Sequence, residues 1–157
     1  MKTENHKIKF ALFLSAFFLM SNFMAQSDLL KLLPGSRKAN YYENNDLLKL
    51  EGNVHFEYQG NTMYCDSAYY FEKKRIVHAY GKVHIIKDRI NMFCDSAFFN
   101  GKAERAKLWG NVRVRDLDYR LTTDSLEYIS SSGRAIYRNY GTIKKNGSNE
   151  MIVSKVG

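Results

Sequence analysis

The sequence predicts an all-β protein, a stack of repeats about 29 residues long, and three observations carry that prediction. Nearly the same eight residues are written twice, MYCDSAYY at 63–70 and MFCDSAFF at 92–99, and Asp124-Ser125 stands 29 residues beyond Asp95-Ser96. A second marker keeps the interval: Gly52-Asn53-Val54, Gly81-Lys82-Val83, Gly110-Asn111-Val112 and Gly141-Thr142-Ile143 follow one another at steps of 29, 29 and 31 residues. The composition agrees, because 14% aromatic residues with one proline and ten glycines suit strands and tight turns rather than disorder. A chain of 157 residues supports one domain, in which about two-thirds of the unfolded surface is buried.

Residues 1–25 differ from the rest. MKTENHKIK carries three lysines, FALFLSAFFLM is apolar, and SNFMAQS is small and polar, which is the layout of a secretory signal cleaved near Ala25 or Gln26. An uncleaved membrane anchor is the alternative, since counting through Ala25 brings the apolar run close to the roughly 20 residues a bilayer needs. Residues 26–51 read as a degenerate half-repeat that caps the stack, with Ser36 placed 16 residues before Gly52 as Ser125 is before Gly141. The repeats follow as 52–80, 81–109, 110–140 and a partial copy at 141–157.

Each repeat reads strand, turn, strand. Val54 and Phe56, Val83 and Ile85, and Val112 and Val114 alternate with polar residues, as a half-buried strand requires. Turns follow at Gln59-Gly60-Asn61, Lys87-Asp88-Arg89 and Asp116-Leu117-Asp118. In the second strand the inward positions are Met63 and Cys65, Met92 and Cys94, or Leu121 and Thr123. Beyond the Asp-Ser pair they become Ala68 and Tyr70, Ala97 and Phe99, or Leu126 and Tyr128. The gap across the pair is three residues instead of two, so a bulge or corner is predicted there, with short polar side chains to bond the bent backbone. The repeated eight residues are thus a building unit before they are a site.

Removal of residues 1–25 lowers the formal charge from +8 to +6. In an exported protein this balance points to anionic partners such as lipid phosphates or a membrane surface, and away from nucleic acid; a solvated charged outer face explains it equally. Arg113, Arg115, Arg120, Lys102, Arg105 and Lys107 are the candidate cations. No Asp-Ser pair has a histidine or lysine at one fixed neighbouring position in all three repeats, so a nucleophile would lack its base and no catalytic residue is assigned. His55 and His84 share a repeat position but lie on the outward face while Cys65 and Cys94 point inward, which argues against a shared metal site; no metal or cofactor is expected. The two cysteines could be joined by a disulfide if they lie on neighbouring strands, or be two buried thiols if they are next-but-one. Tyr80, Trp109 and Tyr140 precede successive glycines and would form an aromatic column of the same period.

The glycine-asparagine-valine strands at 52–54 and 110–112, the related Gly81-Lys82-Val83, and the CDSA, CDSA and TDSL segments after them resemble the OstA/LptA-type periplasmic family, which includes the N-terminal domain of the outer-membrane protein LptD. The resemblance covers Leu48 to about Ser154. It implies a β-jellyroll of two facing sheets, open like a folded sheet. It also implies carriage of lipopolysaccharide across the periplasm toward the outer membrane, with acyl chains held between the sheets and domains or copies of the chain joined end to end through edge strands. The groove residues would then be the inward rows named above, except the cysteines and Thr123, and the basic residues would meet lipid A phosphates near the groove mouth. Two other readings stay open: a stack whose apolar rows simply fill a core, and an inner-membrane-anchored relative of the same fold.

Overall fold

Period-two alternation makes strands, and strands make up nearly all of the regular structure. The computed structural model describes residues 30–157; the signal predicted over residues 1–25 lies outside the described residues. Eleven strands follow in order: β1 (Lys31–Leu32), β2 (Lys38–Tyr42), β3 (Leu47–Tyr58), β4 (Asn61–Phe71), β5 (Ile76–Lys87), β6 (Ile90–Asn100), β7 (Arg105–Arg115), β8 (Tyr119–Ile129), β9 (Arg134–Ile136), β10 (Gly141–Lys145) and β11 (Met151–Ser154). From β3 to β8 each strand pairs antiparallel with the next, and the two layers implied by the resemblance are halves of one continuous sheet. Gln59 and Gly60, both at positive φ, make the tight β3–β4 turn whose twist suits a hairpin.

A line of bulges divides the sheet into those halves. Gly52-Asn53 on β3 oppose Asp66 alone on β4, Gly81-Lys82 on β5 oppose Asp95 alone on β6, and Gly110-Asn111 on β7 oppose Asp124 alone on β8. The sequence places the bend at the Asp-Ser pair, and inward parity does change there: Met63, Cys65, Ala68 and Tyr70 are all buried. The left-handed backbone that makes the bend lies instead on the facing strand, with φ of 74° at Gly81 and 48° at Lys82, and 74° at Gly110 and 50° at Asn111. Asp66 and Asp95 have a second contact, each on the glycine of the next repeat. A β-carbon at Gly81 or Gly110 would run into that carboxylate, and Asn111 Nδ2 donates to Asp95 Oδ2 at 2.8 Å.

The halves close on each other. Straight, the twelve residues of β3 would span about 40 Å. Yet Tyr58 at its end donates its hydroxyl to the Arg75 carbonyl in the β4–β5 turn at 3.0 Å, and its ring meets that of Tyr70 edge-on at 5.8 Å. Gly101 N, in the β6–β7 turn, donates to the same carbonyl at 2.8 Å. Opposite ends of the strands therefore meet along a seam, with the apolar face inside. At each end of the sheet two short strands replace one bent strand: β2 and β1 share β3, and β9 and β10 share β8. Burial of side chains such as Leu50, Phe56, Met63 and Leu108 supplies about 1.5–3 kcal/mol each toward this closure.

Candidate functional site

Cross-strand register aligns the predicted inner residues into rows. One row runs through Phe56, Met63, Ile85, Met92, Val114 and Leu121 and continues to Ile143 and Ile152. Its exposure rises along the stack: Phe56, Met63 and Ile85 are fully buried, Met92 is 7% exposed, and Ile152 on the edge strand is 63% exposed. Val114, Leu121 and Ile143 in between are half-buried. Along this row the interior is a filled core at the β3–β6 end, and at the β7–β11 end it is only partly covered, which makes that end the candidate trough.

The remaining predicted groove residues divide by position along the strands and not by end of the sheet. Val54, Ala68, Tyr70, Val83, Ala97, Val112 and Leu126 are buried in the packed interior, whereas Phe99 and Tyr128 are half-buried near the seam. There Lys87 Nζ, from the β5–β6 turn, donates to the Tyr128 hydroxyl at 3.2 Å and lies 5.0 Å above its ring. A cavity of about 20 Å³ between Met92, Phe99, Ala106 and Tyr128 marks the place where packing loosens. Beyond it the β7–β8 turn bonds sideways: Asn146 N donates to the Asp118 carbonyl at 2.7 Å and Asn146 Nδ2 to the Leu117 carbonyl at 2.8 Å. Ile143 and Ile152 were not singled out as groove residues, although both stand at repeat positions: Ile143 lies 29 residues beyond Val114, and Ile152 eleven beyond Gly141.

One geometric fact decides between the two readings of the cysteines and overturns the aromatic column. A 29-residue repeat contains two strands, so equivalent positions of successive repeats lie about 10 Å apart. Cys65 and Cys94 are free and buried, on β4 and β6, with β5 and its Val83 between them, so no disulfide joins them. Tyr80 and Trp109 likewise have Ser96 between them in register and do not stack as a column; the Tyr80 ring meets Tyr69 at 5.9 Å instead. The ring ladder of this protein is on neighbouring strands of the outer face, where His55 stacks on Tyr64 at 4.1 Å and His84 on Phe93 at 4.3 Å. Both histidines therefore belong to that outer ladder while the cysteines lie inside.

Burial pushes each thiol up to about 12, far above neutral pH, so almost none is thiolate in the native state. We expect native protein at pH 8 to show no fast reaction with a thiol reagent, and two thiols per chain to react in denaturant. Rapid native modification of either cysteine would mean that the interior at the bend is open.

A sequence profile described as OstA-like protein matches residues 28–157. No curated protein sequence matches the chain. Among solved structures, the fold is similar to that of LptH from Pseudomonas aeruginosa, described as the LptA homologous periplasmic component of the conserved lipopolysaccharide transport device. The TM-score is 0.65 with 9% sequence identity, covering 82% of this chain and 96% of that one. At that identity the likeness is one of fold.

Proposed function

The chain belongs to the OstA-like protein family, and on that premise we propose that it is a periplasmic lipopolysaccharide-binding bridge protein that contributes to outer-membrane assembly. Acyl chains lie in the trough at its β7–β11 end, and no catalytic step is involved. The observation that carries this reading is the apolar row whose burial falls from complete at Phe56 to 63% exposure at Ile152. An apolar surface left uncovered in this way is costly in water, and each methylene laid against it gains about 0.8 kcal/mol. The shared fold with a periplasmic component of a lipopolysaccharide transport device supports the choice of ligand.

Edge strands supply the means of joining. β11 presents Met151, Ile152 and Val153, all more than half exposed, beside an unoccupied row of backbone donors and acceptors, and β1 and β2 form the opposite edge. Strand addition between such edges extends one sheet through several domains, either copies of this chain or other jellyroll domains, and aligns their troughs. The filled interior of β3–β6 favours a second reading, a structural stack without ligand.

The two separate in cells that make lipopolysaccharide, with a benzophenone amino acid placed singly at Val114, Leu121, Ile85 or Glu57. The transport reading expects lipid adducts at Val114 and Leu121 and none at Glu57 on the outer face. Ile85, inside the sealed end, should react weakly. Absence of adducts at every inner position in folded, exported protein would leave the structural stack.

A further inference from the structure

Outside the trough, at the same end of the sheet, the outer face carries a row of like charges. Arg115 pairs with Arg120, and Arg120 with Lys144, as direct cross-strand neighbours on β7, β8 and β10. Like charges directly opposite one another in a sheet repel and weaken it. The next row along the strands puts Thr122 between Arg113 and Thr142. None of the four cations has an ion-pair partner among the described residues, in contrast to Arg105, which bonds Glu127 at 3.4 Å. They line a concavity of about 430 Å³ together with the two threonines, Met151, and Val114 and Leu121 of the trough row, so the hollow borders the trough. The Arg113 and Arg115 guanidinium groups lie 5.6 and 5.7 Å from the centre of the Phe93 ring. An aromatic face holds a guanidinium in place without taking up its N–H donors.

A solvated face would scatter its charges or pair them; here they are gathered in a hollow, two of them pre-positioned, at a cost in repulsion. From this geometry we infer that the Arg115–Arg120–Lys144 cleft is a phosphate-binding site on the outer lip of the trough. Several charged donors converging with two hydroxyls match the charge and the multiple acceptor oxygens of a phosphate group, and Arg forks fit phosphate in a bidentate manner. Arg115 and Arg120 flank the β7–β8 turn that forms the lip, so a phosphate here could be carried by a lipid whose chains lie inside, in which case the inference rests on the transport reading, or by a soluble molecule. The site stands on its own charges in either case.

The test is binding by calorimetry to the purified protein and to the triple variant Arg115→Gln, Arg120→Gln, Lys144→Gln. The probes are inorganic pyrophosphate, diphosphorylated lipid A in neutral detergent micelles, and the same lipid with its phosphates removed. The expected result is binding of at least one phosphate-bearing probe that weakens with salt and falls tenfold or more in the variant. The variant should also melt at the same or a higher temperature, because it relieves repulsion. Pyrophosphate binding identifies a soluble source as sufficient; binding of the phosphorylated lipid alone identifies the lipid. Failure of both phosphate-bearing probes, a variant that binds as well as the parent, or a variant that melts lower would overturn the site. Dephosphorylated lipid reports on the trough alone, so its failure to bind counts against transport and leaves the cleft to be judged by pyrophosphate.

Discussion

Phe56→Ala is expected to lower folding stability by about 3–5 kcal/mol, whereas Leu121→Ala should cost less than about 2 kcal/mol and weaken lipid capture instead. The two residues occupy one apolar row, and sequence treats them alike. Phe56 is fully buried between Leu32 and Met63, so truncation leaves a cavity that the facing half of the sheet must either collapse into or leave empty. Leu121 is half-buried between Val114 and Ile143, and its truncation removes surface that is already in contact with water. Against a total stability of about 5–15 kcal/mol, the first loss removes a large share of the margin that keeps the protein folded. Denaturant titration followed by circular dichroism gives both numbers. A Phe56→Ala protein as stable as the parent but poor in lipid binding would mean that the β3–β6 interior opens to ligand and that the core reading of this end is wrong.

Gly110→Ala should cost about 3 kcal/mol, and Gly147→Ala about 1 kcal/mol. Both glycines have almost the same left-handed backbone, φ of 74° and 72°, so each substitution incurs the same strain for a residue with a β-carbon. Their surroundings differ. A β-carbon at Gly147 meets nothing within 4 Å, whereas at Gly110 it collides with the Asp95 side chain. The difference between the two losses therefore measures the packing of one repeat's aspartate on the next repeat's glycine. Equal losses in thermal or chemical denaturation would show that Asp95 moves aside freely and that the repeat junction tolerates a side chain.

Much of this fold is written locally and could be read so. The interval between Asp66 and Asp95, the alternation through Val83 and Ile85, and the three-residue gap between Cys65 and Ala68 each depend on neighbours in sequence. The structure bears them out as strand, turn and bend. What remained hidden depends on distance through space. The free cysteines and the unstacked Tyr80 and Trp109 follow from the hairpin nature of the repeat, which sets equal positions two strands apart. The seam that joins Tyr58 to the Arg75 carbonyl is a contact between opposite ends of different strands, with no periodicity to announce it. The graded opening of the trough is hidden for a related reason. Phe56 and Val114 are both apolar residues at equivalent inward positions, and only the closure of the lips over the first separates core from candidate site. The outer cation row, by contrast, was visible as Arg113, Arg115 and Arg120, but its lack of partners and the place of Lys144 beside Arg120 required the register.

The fit of Asp66 and of Asp95 on the following glycine also bears on how such a chain changes over generations. Asp66 and Gly81 are 15 residues apart, as are Asp95 and Gly110. Loss of residues 81–109 as a block would join Tyr80 to Gly110 and bring Asp66 to a glycine at the same spacing, with its hairpin partners in the same order. Duplication of the block would do the reverse. Either event inserts or removes a whole hairpin, lengthening or shortening the sheet by about 10 Å without turning any inward residue outward. A gain or loss of one or two residues inside a strand has no such neutral outcome, because it flips or misplaces every side chain up to the next turn. Descendants of this gene should therefore differ in length by whole hairpins, and the reach of the trough is a quantity that duplication can adjust in steps while the fold stays the same.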